Sequence, residues 1–78
     1  MKVMDVSREN WREVDSAIAE HGVMVAVRIT LSRSTSYDLS VGWQIYRLPE
    51  ILARELASEG ELSPTTYARM FMAGFRKE

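Results

Sequence analysis

The chain reads as one small α+β domain, residues 1–78, with a central β-hairpin and three helices in the order (β)αββαα. Two runs of strict alternation point to the hairpin. Val23, Val25, Val27, Ile29 and Leu31 fall on odd numbers, and so do Tyr37, Leu39, Val41, Trp43 and Ile45. Successive strand side chains point to opposite faces, so each run offers a continuous apolar face. The third observation is a set of helix starts, at Ser7, Pro49 and Ser63, each followed by apolar residues at helical spacing.

Residues 2–6 alternate weakly and predict a short first strand. Ser7 then supplies an N-cap hydroxyl, and Val6 with Trp11 occupies the two positions of a hydrophobic staple. Trp11, Val14, Ala17, Ile18 and His21 share one face, and Gly22 stands where a left-handed C-cap belongs, which predicts a helix over 8–21. The hairpin strands are expected at 23–31 and 37–46. The small polar residues 32–36 form the loop between them. If Val27 lies opposite Val41, both odd-numbered sets share one side of a small antiparallel sheet.

Pro49 suits a first helical turn, because its missing N–H would have no partner there. Leu48, Ile51, Leu52 and Leu56 then form a stripe that ends at Gly60, giving a second helix over 49–59. Glu55 falls inside this stripe, and an arginine partner accounts for it. The third helix, 64–76, opens with Ser63 as cap, Pro64 in the first turn, and a Leu62–Tyr67 staple. Tyr67, Met70, Phe71, Gly74 and Phe75 make its apolar face. Ala68 and Met72 widen that face beyond the roughly 100° that packing on one surface requires. Met72 and Phe75 are therefore expected to meet either another part of the fold or a second chain.

Composition narrows the function classes. With 46% hydrophobic residues the chain is globular, and with no cysteine it has neither disulfides nor thiolate metal ligands. A net charge of −1 argues against bulk electrostatic binding of nucleic acid. Charge is spread in mild segments, −2 over 1–22, +2 over 23–48, −3 over 49–61 and +2 over 62–78. No apolar run approaches the roughly 20 residues of a membrane span, and no signal-peptide pattern is present, so a cytoplasmic setting without membrane contact is expected.

Reactive groups are sparse. His21 is the single histidine, placed near a helix end where a structural role suffices. The 32–36 loop has hydroxyls and Arg33 but no glycine to bring backbone amides against a phosphate. Glu9 with Glu13 and Glu55 with Glu59 are carboxylate pairs on helix faces, without the burial that general acid work needs. No catalytic residue, metal ligand or cofactor is assigned, and the chain is read as a non-enzyme.

The even-numbered hairpin face is more informative. Met24, Ala26, Arg28 and Thr30 would lie beside Asp38, Ser40, Gly42, Gln44 and Tyr46, a mixed surface for either a covering helix or another protein. Methionine, arginine and tyrosine are enriched at interfaces. The candidate partner-binding residues are Met24, Arg28, Gln44 and Tyr46, with Arg69, Met72 and Arg76 on the last helix. A homodimer through that helix or through a strand edge fits the same pattern.

Val6-Ser7, Trp11 and Val14, followed by strands and a helix after Ile45, resemble in order the Phd/YefM antitoxins. That likeness implies a dimer that binds operator DNA and neutralises a toxin through a C-terminal tail. The loop at 32–36 is long for that family, and a capped helix stands where the tail would be. Residues 43–78, with Tyr46-Arg47-Leu48-Pro49 and Ser63, resemble a ribbon-helix-helix repressor. In that fold alternate strand residues read the DNA major groove. Counting back from Pro49, however, turns Trp43 and Ile45 outward and Gln44 inward. DNA-binding regulation is thus the second reading. The first is a small inhibitor or adaptor that acts stoichiometrically on a protein partner, similar in size and plainness to phage-encoded inhibitors of host defence complexes.

Overall fold

The computed structural model describes residues 2–75. Seven elements follow in order: β1 (Val3–Asp5), α1 (Trp11–His21), β2 (Val25–Leu31), β3 (Ser34–Val41), β4 (Gln44–Pro49), α2 (Glu50–Ser58) and α3 (Pro64–Met72). The strands form one mixed sheet in the order β1-β4-β3-β2. β2, β3 and β4 are an antiparallel meander, and β1 adds parallel to β4, pairing Val3 with Ile45 and Asp5 with Arg47. The α+β class and the three helices agree with the sequence reading; the all-antiparallel sheet does not.

The expected long second strand, 37–46, is two strands. Gly42-Trp43 turns the chain between Val41 and Gln44, and Ser32-Arg33 turns it between Leu31 and Ser34. In both turns only the first central residue has a positive φ, 58° at Ser32 and 58° at Gly42. That is the type II′ pattern, whose twist matches that of the flanking strands and which calls for glycine at this position. Two-residue turns replace the five-residue loop, and this resets the register. Val27 pairs with Asp38, not Val41, and Arg28 pairs with Tyr37. A shift of one residue exchanges faces. The odd residues of β2 therefore lie opposite to the odd residues of β3.

All three helices cover one face. Tyr37, Leu39 and Val41 of β3 and Leu48 of β4 point into it and are buried with Trp11, Val14, Ile18, Ala53, Leu56 and Met70. Helix α1 starts later than expected, at Trp11 rather than residue 8, because Ser7 makes a preceding turn. Its carbonyl accepts from the Asn10 and Trp11 amides, while Asn10 Oδ1 accepts from the Ser7 amide at 2.6 Å. The Ser7 hydroxyl caps no helix amide, and with the cap position moved to Asn10 the buried Val6 and Trp11 no longer occupy staple positions. Helix α3 has the predicted cap, with Ser63 Oγ accepting from the Thr66 amide at 3.2 Å and Pro64 following.

The last helix is shorter than its apolar spacing implies. Gly74, at φ 108°, closes a Schellman motif in which the Phe75 amide donates to Met70 O and the Gly74 amide to Phe71 O. The reversal carries Phe75 back into the core, edge-on to Tyr37 at 5.8 Å and to Tyr67 at 5.7 Å, with the Arg54 guanidinium 5.2 Å from its ring centroid. Phe75 is fully buried, so it contributes no surface for a second chain; Met72, 76% exposed, does.

Two polar links tie the helices together. Asp15 of α1 accepts from Thr66 Oγ1 at 2.6 Å at the start of α3. Arg8, ahead of α1, donates to Glu55 of α2 and to Glu59 and Glu61 beyond it. Glu55 thus has the expected arginine partner, on the surface rather than in the core. The Glu59 carboxyl is held below its ordinary 4.5, above all by the hydrogen bond from the Arg8 guanidinium. Its contribution to stability is complete above about pH 4.5 and is lost as pH falls through the lowered value. Arg8→Ala should therefore flatten the acid limb of a stability–pH profile, as measured by thermal unfolding between pH 6 and pH 3. Ser32→Gly should relieve the positive φ and stabilise the fold by about 1 kcal/mol, a rise of roughly 5 °C in Tm.

Candidate functional site

Among the described residues no other element covers the sheet face away from the helices. Its residues follow from the register. β2 contributes Val25, Val27, Ile29 and Leu31; β3 contributes Ser34, Ser36, Asp38 and Ser40; β4 contributes Ile45, Arg47 and Pro49, and β1 adds Val3 and Asp5. The β2 set is a column of branched aliphatic side chains in water, with Val25 52%, Val27 46% and Leu31 52% exposed. Beside it runs a column of small hydroxyls, broken by one ion pair. Arg47 Nε and Nη2 donate to Asp38 Oδ1 and Oδ2 at 2.9 and 3.1 Å, and this bond keeps the guanidinium pKa raised. The pairing is bidentate and satisfies both side chains across neighbouring strands. The face therefore has its apolar residues gathered on one edge strand, the Asp38–Arg47 pair in its middle and the Asp5 carboxylate at the opposite edge.

One end of the sheet carries a second feature. Trp43, the second residue of the Gly42-Trp43 turn, is 92% exposed. It stands over an open groove of about 360 Å³, lined also by Ala17, His21, Gln44 and Tyr46. Met24, at the same end, donates its amide to Ser40 O and leaves its side chain exposed. His21 sits at the C-terminal end of α1, 3.8 Å from a Glu20 oxygen. Within the core a void between Val6, Trp11, Leu48 and Leu56 is about 10 Å³, room for no more than one water.

The residues singled out from sequence are dispersed. Gln44 and Tyr46 face the helix side, where Gln44 Nε2 donates to Lys2 O at 2.7 Å and Tyr46 packs against the core. Arg28 is also on that side, its Cδ 3.7 Å from where a Cβ would stand on Gly74. Met24 lies at the turn end, while Arg69 and Met72 are exposed on α3. Arg76 lies outside the described residues. The even-numbered hairpin residues do not share one face, because the two-residue turns set β2 even positions beside β3 odd positions. Among the described residues no three His, Asp or Glu side chains stand close enough together to hold a metal ion. None of the helices among them is long and apolar enough to cross a membrane.

The open Val25–Leu31 column and Trp43 were missed as surface features. Both were legible in one signal: Ser34, Ser36, Asp38 and Ser40 alternate with Thr35, Tyr37, Leu39 and Val41, extending the third strand back to residue 34 and leaving only two residues for the turn. The ribbon-helix-helix likeness also meets a limit here. β4 has β1 on one edge and β3 on the other, so it cannot form the intermolecular ribbon of such repressors. Compared with protein-family models, with curated proteins and with solved structures, the chain matches none.

The two tryptophans should separate cleanly in solution. Trp43→Phe should change stability by less than about 0.5 kcal/mol and remove the readily quenched emission, measured with acrylamide. Trp11→Ala, in the core, should cost about 3–5 kcal/mol in chemical denaturation.

Proposed function

We propose that this chain is a non-enzymatic protein-binding module that acts by stoichiometric contact, as an inhibitor or adaptor of a larger protein. The observation that carries the reading is the open β2 column. Four aliphatic residues at alternate positions form a contiguous stripe, whereas isolated exposed apolar residues need no explanation. Beside the stripe a partner meets mostly small hydroxyls, and the Asp5 carboxylate stands apart on the opposite edge strand. The one charged pair on the β3–β4 strands, Asp38–Arg47, is already mutually satisfied. Trp43 at the sheet end adds a rigid aromatic of the kind that anchors interfaces. Tyr46, half-buried against the core, is a poorer contact than its residue type implies.

Capture on immobilised protein from extract of the native host tests this, with and without nuclease. A protein partner should be retained in both conditions and lost with Val27→Asp and Leu31→Asp, while circular dichroism shows the fold intact. Retention that depends on nucleic acid, or that ignores both substitutions, would overturn the reading.

A further inference from the structure

We infer that two copies of this chain pair antiparallel along β2, joining their sheets into one of eight strands. The inference rests on the docking reading above and identifies what the strand edge takes. Each two-residue turn closes on a hydrogen-bonded pair, Leu31 with Ser34 and Val41 with Gln44. By alternation, the backbone groups of Val25, Val27, Ile29 and Leu31 then point to β3. Those of Ala26, Arg28 and Thr30 point away from the sheet, and among the described residues nothing bonds to them.

Exposed edges are usually kept short or guarded by lysine, proline or a covering segment. The opposite edge, β1, is only three residues long. β2 has seven residues, without lysine or proline, and its one charge, Arg28, lies on the helix side towards Gly74.

A second copy complements this edge. A two-fold axis normal to the sheet keeps open face with open face, so aliphatic column meets aliphatic column. Centring the axis on Arg28 would oppose two guanidiniums. Centring it on Val27 sets Arg28 across from Ala26 of the second copy, and centring it on Ile29 sets it across from Thr30. Either arrangement makes four main-chain hydrogen bonds. A seven-residue strand is about 23 Å long and a sheet layer about 10 Å thick, so the contact covers a few hundred Å² per copy. That is below the roughly 800 Å² per partner of a standard interface, and the dimer is accordingly reversible. Its effect is to place two aliphatic columns side by side, doubling the stripe offered to a partner.

Residues facing each other at either centre form a non-hydrogen-bonded pair with Cα atoms about 4.5 Å apart, within disulfide reach. The chain has no cysteine of its own, so single substitutions report cleanly. Under mild oxidation Val27→Cys or Ile29→Cys should give covalent dimer at least tenfold faster than Ser16→Cys on the exposed side of α1. Sedimentation should show a concentration-dependent dimer that Val27→Lys weakens at least tenfold with the fold intact by circular dichroism. A monomer up to about 1 mM, with both strand cysteines no faster than Ser16→Cys, would overturn the pairing. So would preferential cross-linking through Met72→Cys on α3. A monomer that still captures protein through Val27 rejects the pairing and keeps the docking reading; a dimer that captures nothing rejects the docking reading alone.

Discussion

The length of two turns decides what this protein shows to the outside. With two residues at Ser32-Arg33 and two at Gly42-Trp43, the register sums between neighbouring strands are odd, so each strand exchanges which parity faces the helices. Leu39 and Tyr37 go inward with Ala26, Tyr46 and Leu48. Val25, Val27, Ile29 and Leu31 go outward. A strand with β-branched residues would ordinarily turn them to the core; here the core side of β2 has only Ala26, Arg28 and Thr30. Ala26 and Thr30 are small enough to let the end of α3 approach closely, and Gly74 allows the reversal there through its φ of 108°. Packing of the helix layer and exposure of the aliphatic column are thus two results of one register.

The helices stay on their single face through links that are few but well placed. Asp15 receives the Thr66 hydroxyl and thereby fixes the start of α3 against α1. Arg8 gathers three carboxylates around α2 and its end. These charges are largely solvated, so each is individually weak, and the buried aromatic cluster around Phe75 supplies more of the cohesion. Among the described residues no element crosses to the far side of the sheet.

Much of the helix layer was legible in the sequence because its signals are local. Ser63 with Pro64, and Gly60, each act within one turn of chain. The second helix began one residue later than Pro49 suggested, and the first began three residues late because Asn10 turned its oxygen back to Ser7. What failed was the pairing register, which is non-local. A run of alternating residues shows that a strand has two faces; it does not say which one meets the core. Ser32 misled further, since a residue other than glycine at the first position of a type II′ turn disguises that turn as part of a longer loop. Site residues inferred from the wrong face scattered accordingly. Met24 and Met72 stayed in water, whereas Tyr46 and Gln44 went to the helix side.

Phe75 has a consequence for how the chain is made. Its ring completes the contact between Tyr37, near the middle of the sequence, and Tyr67, yet it is translated after all the strands and helices of the described residues. The sheet must therefore wait, with its inner face incompletely sealed, until the reversal at Gly74 has emerged from the ribosome. During that interval the long free margin of β2 is available to any nascent neighbour, which makes crowded synthesis the hazardous stage for this protein.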